Sequence, residues 1–356
     1  MNTTVKYSAI PLIGIVFFLF GCSCDDRQSA ELPSWAFSPV MLYPADGSLN
    51  RPEDGVPLGG GRLIVTDQAV GLRLIEADGT HRPFGKMAEA GYIHNPPGME
   101  GCANGVTINP AGTHLIVADV FRGGIYEIEV ATEDTRKVYQ HTYGVNMARA
   151  DSLGGIWFSQ STRNLPEQNG AGLWESVWVA RPDGALCYSP PAKEGEDRKA
   201  VVLVDDFVFA NGLIIDEPKG ILYISETFGN KVWQFDVDLA TGTVSGRAVA
   251  VEVGSPDNLE LDKEGRLWIA CPLRSEIVVF DPATGVSQSV FRISTQESER
   301  LVKEIDSRLE SGVSWADLAV PGLSAPAPGL ITGIILDEES GTAYATGLGN
   351  AIIKLE

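Results

Sequence analysis

Histidine and cysteine are scarce in this chain, four and five among 356 residues. No CxxC pair and no Cys/His spacing brings them together, which excludes zinc of the finger type. No GxSxG is present, so a serine nucleophile on a strained elbow has no support. Long apolar runs are also missing. The stretch Ile10–Phe20 is too short to span a bilayer. Positive charge is in deficit: 27 Lys and Arg face 47 Asp and Glu, a formal net charge of −20. That balance argues against nucleic acid and against electrostatic docking on anionic lipid. No Pro/Ser linker or charge run divides the chain beyond its first segment, so one large domain with an ample core is expected.

What the chain does contain is one short pattern written six times. The copies are GVPLGGGRLIVTD (Gly55–Asp67), GVTINPAGTHLIVAD (Gly105–Asp119), ARADSLGGIWFSQ (Ala148–Gln160), GLIIDEPKGILYISE (Gly212–Glu226), NLELDKEGRLWIAC (Asn258–Cys271) and GIILDEESGTAYATG (Gly333–Gly347). Each is an alternating strand, a polar turn centred on Gly and a second apolar strand, the signature of a hairpin. Recurrence at roughly 40–75 residues signals stacked units that bury their faces against neighbours. Six units of four strands predict an all-β fold, a six-bladed β-propeller. After Gly333 there is chain for about three strands, so a strand near Pro39–Pro44 is expected to complete blade six.

The alignment also exposes a candidate site. Glu53, Asn104, Asn146 and Asp257 each stand eight residues before the turn Gly, Asn211 stands nine before Gly220, and Asn258 follows Asp257. The sixth copy offers Thr332 or Gly333. Equivalent positions on the inner strands of a propeller converge on its axis. Two carboxylates with several amide oxygens make a hard all-oxygen site that suits Ca2+, with other divalent cations as alternatives. The competing reading is that Asn before Gly merely supports a turn with positive φ.

The N-terminal segment, Lys6 followed by Ile10–Phe20 and Gly21-Cys22, has the layout of a secretory signal. Leu19-Phe20-Gly21-Cys22 resembles a bacterial lipobox. The expectation is a signal over 1–21, lipid on Cys22, a polar tether over 22–35 and the propeller over 36–356. An uncleaved anchor is the alternative, and either gives an exported protein held to the membrane by its N-terminus alone. Facing the periplasm with Ser23 after the Cys, the outer membrane is favoured. Cys24, Cys102, Cys187 and Cys271 are permitted a disulfide but spacing does not pair them, and Cys271 at a strand end reads as a buried thiol. His114 reads as structural, whereas His94 and His141 lie in connections leading to the pocket and are candidates to touch substrate or shuttle a proton. Pro83–Gly101 is a Pro/Gly-rich loop expected to hang over the mouth. Between blades five and six, Ser294–Glu297 reads as a capping box and Leu301, Ile305 and Leu309 as one helical face ending at Gly312.

DFVFANGLIIDEPKGILYISET (Asp206–Thr227) with SPDNLELDKEGRLWIAC (Ser255–Cys271) resembles the senescence-marker-protein/gluconolactonase and strictosidine-synthase-like superfamily, which also holds the paraoxonases. Gly144–Thr162, Cys102–Ile128 and Arg51–Asp67 resemble its third-, second- and first-blade elements. The resemblance implies a central Ca2+ held by Glu53, Asn146, Asn211 and Asp257, with Asn258 as a fifth ligand and Asn104 on the substrate side. It implies hydrolysis of a small-molecule lactone or ester, with Asp257 as base or nucleophile. Three departures stand out: Met147 where many relatives carry Asp, Asp119 at the place of the paraoxonase histidine, and no second-blade arginine. The rival class is a non-catalytic propeller that uses the metal structurally and binds a partner or sugar. Oligomeric state is not legible.

Overall fold

The alternation within each repeat is what the sheets are made from. In a computed structural model that describes Met1 and residues 32–193, 196–318 and 321–356, every repeat forms an antiparallel four-stranded sheet with its strands in sequential order. Blade one is Gly55–Gly59, Arg62–Asp67, Gly71–Ile75 and His81–Pro83. Blade two is Ala103–Ile108, His114–Asp119, Gly124–Glu129 and Thr135–Gln140. Blade three is Ala148–Ala150, Ile156–Gln160, Gly184–Ser189 and Val201–Phe207. Blade four is Ala210–Asp216, Ile221–Glu226, Lys231–Asp238 and Thr243–Glu252, and blade five Leu259–Leu261, Leu267–Cys271, Glu276–Asp281 and Val286–Arg292. Blade six, Ile331–Asp337, Thr342–Gly347 and Ile352–Leu355, is completed by Leu42–Tyr43 from the other end of the chain. The six-bladed propeller and its closure by an N-terminal strand are as the repeats predict.

The six turn glycines, Gly61, Gly112, Gly154, Gly220, Gly265 and Gly341, all hold φ between 66° and 85°, a region open to Gly at no steric cost. Blade four spaces its Asn one residue further from the turn because Glu217–Lys219 forms a 3-10 turn, with Asp216 accepting from Lys219 N. The second strand of each repeat reads as a continuous apolar run because both its faces are covered. Ile64 and Leu72 of blade one pack with Val106, Leu115 and Val117 of blade two, and Trp157 and Leu186 of blade three with Leu222 and Ile224 of blade four. Each such side chain contributes about 1.5–3 kcal/mol through burial, so neighbouring blades hold one another.

Among the described residues three α-helices are inserted within or between the blades. Helix α1, Ala171–Trp178, lies between the second and third strands of blade three; it has no counterpart in the sequence reading. Helix α2, Gln296–Glu310, is the expected insertion between blades five and six, and α3, Pro321–Ser324, follows it. Its cap falls one residue later than expected. Thr295, extended at φ −129°, accepts from Ser298 N at 3.0 Å, and Ser298 Oγ accepts from Thr295 N at 2.9 Å. Ser294 turns instead to Glu299. Leu301 and Ile305 are buried as the helical spacing requires. Cys102, Cys187 and Cys271 are free, buried thiols. The signal, Cys22 and Cys24 lie outside the described residues. Among the described residues no helix is long and apolar enough to cross a membrane.

The seam that closes the ring is short: Leu42 pairs with Ile353 and Tyr43 with Ile352. Tyr43 strengthens it by donating to Glu76 O at 2.7 Å and meeting Tyr344 at 6.1 Å between ring centroids. Tyr43→Ala should therefore lower unfolding free energy by about 2–3 kcal/mol, from lost packing and one hydrogen bond. Urea denaturation measures it, and a loss below about 0.5 kcal/mol, the range of neutral surface changes, would show that the seam does not depend on this residue.

Candidate functional site

Two local devices bring the axial side chains together. In blades one, three and five the residue stands two positions ahead of the inner strand: Glu53 ahead of Gly55, Asn146 ahead of Ala148 and Asp257 ahead of Leu259, with Asn258 between the last two. In blades two, four and six it sits in a one-residue bulge. Ala103 pairs with Asp119 but Val106 with Val117; Ala210 pairs with Glu226 but Leu213 with Ile224; Ile331 pairs with Gly347 but Gly333 with Thr346. The extra residue re-aims the side chain out of the sheet's alternation, so Asn104, Asn211 and Thr332 face the axis.

The glycine after Asn104 and Asn211 has a different purpose from the positive-φ turn considered above. Neither Asn, nor Gly105 or Gly212, has positive φ. A Cβ on Gly105 would stand 2.9 Å from Asn146 O, and one on Gly212 2.6 Å from Asn258 Cα. These positions are glycine because the next blade's backbone passes against them. Gly105 N donates to Asn146 O and Asn258 N to Thr332 O, each at 3.0 Å. Thr332 Oγ1 donates to Glu53 O at 2.8 Å and Ser225 Oγ to Asp257 O at 2.6 Å. Arg51, Phe209 and Ser255, each two residues before an axial residue, hold φ of 56°, 69° and 51°, a left-handed conformation that costs a non-glycine residue about 1–2 kcal/mol. Such strain concentrates at functional sites.

A cavity of about 130 Å³ opens above these residues, with Arg51, Glu53, Asn104, Asn146, Asn211, Thr227, Asp257 and Thr332 among its lining. Arg51 Nη2 donates to Asn104 Oδ1 at 3.1 Å, and Asn104 Nδ2 to Asn146 Oδ1 at 3.1 Å. Asn146 Nδ2 donates to Ser161 Oγ at 2.9 Å and Asn211 Nδ2 to Thr227 Oγ1 at 3.1 Å. Asn258 is turned beneath the lining; its Nδ2 lies 3.3 Å from both Glu53 oxygens. Each amide nitrogen thus has a partner, whereas three oxygens do not. Asn211 Oδ1, Asp257 Oδ1 and Asn258 Oδ1 are buried with no hydrogen-bond partner. An orphaned buried oxygen is costly unless something positive faces it.

The electrostatics agree. Burial pushes Glu53 up to about 7, against the pull of the Arg51 guanidinium and the amides of Asn258 and Asn104. Asp257 is raised well above the ordinary carboxylate range by burial and then by the charge of Glu53, with Arg51 opposing. Asp54, whose Oδ2 accepts from Val106 N at 2.9 Å, is raised by the same two causes. One guanidinium does not compensate three buried carboxyl groups. Among the described residues no group of three or more His, Cys, Asp and Glu is placed to hold a metal, so a cation here would depend on the amide oxygens as much as on the carboxylates.

Of the residues singled out from sequence, Glu53, Asn104, Asn146, Asn211 and Asp257 line one cavity and Asn258 braces it. His94 and His141 do not line it. His94 Nδ1 donates to Gly101 O at 2.9 Å. His141 Nε2 donates to Gln160 Oε1 at 3.1 Å and its ring meets Phe158 edge-on at 5.1 Å; burial lowers its pKa. Loop 83–101 also stays out of the cavity: Phe84, Met87 and Tyr92 bury between blades one and two, and Gly98 and Glu100 bond to Asn169 ahead of α1. Asp119 accepts from the amides of Cys102, Phe121 and Arg122, a structural use of that position. Two features escaped the sequence reading. Arg51 could have been noticed as a charge two residues ahead of an axial position. The wall supplied by α1 was signalled only by Leu173 and Val177 at i, i+4 beside Trp174 and Trp178.

The fold and the site together define a six-bladed propeller with a buried, oxygen-lined axial cavity. Residues 136–297 match the model of the SMP-30/Gluconolactonase/LRE-like region. Regucalcin of Danio rerio is 26% identical over 162 residues, 43% of this chain and 50% of that one. Regucalcin of Homo sapiens is 33% identical over 85 residues, 23% of this chain and 28% of that one. The chain thus matches about half or less of the length of these curated relatives. A gluconolactonase from Xanthomonas campestris superposes with a TM-score of 0.58 at 15% identity, covering 92% of this chain and 95% of that one. A calcium-binding regucalcin from Agrobacterium tumefaciens superposes with a TM-score of 0.57 at 13% identity, covering 91% and 95%. At such identities the likeness bears on the fold.

The buried carboxyl groups give a pH signature. A carboxyl whose folded pKa is raised takes up a proton on folding, so its stabilising share is present below the unfolded value and is lost as pH rises through the folded one. For Glu53 that window runs from 4.5 to about 7, and Asp257 and Asp54 act in the same direction. With divalent cations chelated, wild-type protein should lose thermal stability relative to Glu53→Gln across this window. Parallel melting profiles for the two proteins between pH 4.5 and 8 would overturn the assignment.

Proposed function

We propose that this protein is a calcium-dependent hydrolase of a lactone or ester, with Asp257 as the general base. The observation that carries the reading is the set of three unpartnered oxygens, Asn211 Oδ1, Asp257 Oδ1 and Asn258 Oδ1, beside a second buried carboxylate. A hard divalent cation fits that set. Glu53, Asn146, Asn211 and Asp257 would hold it, with Asn258 orienting Glu53 and offering its own oxygen. When bound, such a cation supplies Lewis acidity toward a carbonyl oxygen. The match to the SMP-30/Gluconolactonase/LRE-like region and the similarity to a gluconolactonase support the substrate class, and the similarity to a calcium-binding regucalcin supports the metal.

The chain's own residues supply the rest. With one oxygen toward the cation, Asp257 keeps a carboxylate oxygen that could take a proton from attacking water, the part of a general base. Arg51, held by Asn104, places a fixed positive charge at the floor where a carbonyl oxygen gains negative charge, and fixed charge in a water-poor site needs no reorganisation. Asn104 and Asn146, locked to each other, orient the substrate. The apolar surroundings keep bulk water from competing.

Chelation by EDTA should abolish hydrolysis of a panel of lactones and aryl esters, and Ca2+ should restore it. Asp257→Asn keeps an oxygen and nearly the same volume but removes the base, so turnover should fall by about 10²–10⁴-fold while calorimetry still detects Ca2+ binding. Wild-type turnover in calcium-loaded Asp257→Asn would assign the base elsewhere. Because protons and cation compete for the same carboxyl groups, Ca2+ should raise the melting temperature more at pH 8 than at pH 5. Calcium-dependent stabilisation with no turnover on any lactone or ester would favour the non-catalytic binding propeller instead.

Export and anchoring through Cys22 belong to the same reading. The lipobox-like Leu19-Phe20-Gly21-Cys22 motivates a lipid anchor to the bacterial membrane, in the outer membrane and facing the periplasm. The protein should then leave the membrane fraction with detergent and not with salt, since acyl burial is insensitive to ionic strength. A Cys22→Ser protein that still partitions with membranes would refute lipidation.

A further inference from the structure

The polar floor of the cavity carries the chemistry, but the walls above it decide what can enter. They come from the two insertions and the blade rims: Leu173, Trp174 and Trp178 from α1, Trp315 from the segment after α2, and Phe209 and Phe228 from blade four. These side chains hold one another in place. Trp178 stacks on Trp174 at 5.8 Å and 21°, and meets Trp315 edge-on at 4.6 Å and 81°. Phe209 meets Phe228 at 5.1 Å and 65°. Behind them, Trp315 packs with Leu273, Leu301, Ile305 and Leu323, so α2 backs the wall. The vault is therefore built into the fold.

From this geometry we infer that the substrate is a small lactone or ester bearing an apolar group, aryl or short alkyl, and not a polyhydroxylated sugar lactone. The inference rests on the hydrolase reading above and specifies its substrate class. A sugar lactone carries several hydroxyls beyond the reacting carbonyl. The floor can pair with those next to it, but the vault offers aliphatic and aromatic surface. Each hydroxyl driven into the vault without a partner weakens binding by about tenfold. An apolar group gains from the same surface. Size sets its limit: a cavity of about 130 Å³, close to the roughly 150 Å³ cavity that takes up benzene, seats one small ring, and an attached alkyl chain lies along Trp174 and Trp178 at the half-open rim.

The test uses the full-length, calcium-loaded protein and two probe series. The first is hydrolysis of glucono-δ-lactone and of δ-lactones substituted with hydrogen, methyl, propyl, pentyl and heptyl. Specificity, kcat/KM, should rise about fourfold for each added methylene, the usual worth of burying one, and level off between pentyl and heptyl. Glucono-δ-lactone should fall about 100-fold or more below the pentyl compound, given its unpaired hydroxyls. The second series is binding of the matching δ-lactams, which resist hydrolysis, followed by tryptophan fluorescence. The pentyl lactam should bind at least about tenfold more tightly than the unsubstituted one, and Trp174→Ala, at the half-open rim with 36% of its surface exposed, should flatten both series while retaining the wild-type circular dichroism spectrum.

The outcomes separate the two claims. Turnover with no dependence on alkyl length, or with glucono-δ-lactone as good a substrate as the pentyl lactone, leaves the hydrolase reading intact and overturns the apolar one. Tight binding of the pentyl lactam with no turnover of any lactone or ester overturns the hydrolase and leaves an apolar-ligand site. Neither binding nor turnover overturns both.

Discussion

Six chain passages must approach a single axis, and everything specific to this molecule follows from how closely they do so. A blade's inner strand can reach its neighbour's leading loop only if the residue facing that loop has no side chain. Gly105 and Gly212 satisfy this, with neighbouring backbone 2.6–2.9 Å from where a Cβ would stand. The same approach lets Gly105 N and Asn258 N bond from one blade to the next. Packing between blades stabilises the ring, but this inner contact sets the depth at which the side chains before and after each glycine project. The cavity's floor is a by-product of that depth.

Convergence has an electrostatic cost that the fold only partly offsets. Glu53, Asp54 and Asp257 are carried into the interior together, and burial raises all three. Arg51 is an opposing charge at the same floor, and Asn104, Asn146, Asn211 and Asn258 direct their amide nitrogens to one another, to hydroxyls and to Glu53. What is left over is acceptor capacity: oxygens without partners. A site that is rich in acceptors and short of positive charge is tuned to receive something electropositive, and the strained conformations of Arg51, Phe209 and Ser255 are consistent with a floor assembled for function more than for stability.

Above the floor the character reverses. The insertions that carry α1 and α2 contribute aromatic and aliphatic surface, braced by ring–ring contacts and by the core under α2. The loop from Pro83 to Gly101, by contrast, spends its large side chains on the seam between blades one and two and bonds to Asn169 ahead of α1. Length and Pro/Gly content did not distinguish a loop that shapes a cavity from one that seals a seam. That distinction depends on where Phe84, Met87 and Tyr92 find burial, which is a property of two blades packed together.

The fold was legible because its signals are local and repeated. Alternation, a turn Gly and an apolar second strand are written within about fifteen residues, and six copies leave little freedom in how they stack. The axial register was legible for the same reason, since Glu53, Asn104, Asn146, Asn211 and Asp257 hold nearly constant distances from their turn glycines, and the turn itself explains the one exception. Tertiary structure alone decided the rest. It turned Asn258 beneath Glu53, drew Arg51 into the floor through a left-handed residue, withdrew His94 and His141 to other partners, and used α1 as a wall. Each of these depends on contacts between segments far apart in the chain, where the physical outcome is set by which surfaces remain to be covered after the blades have closed.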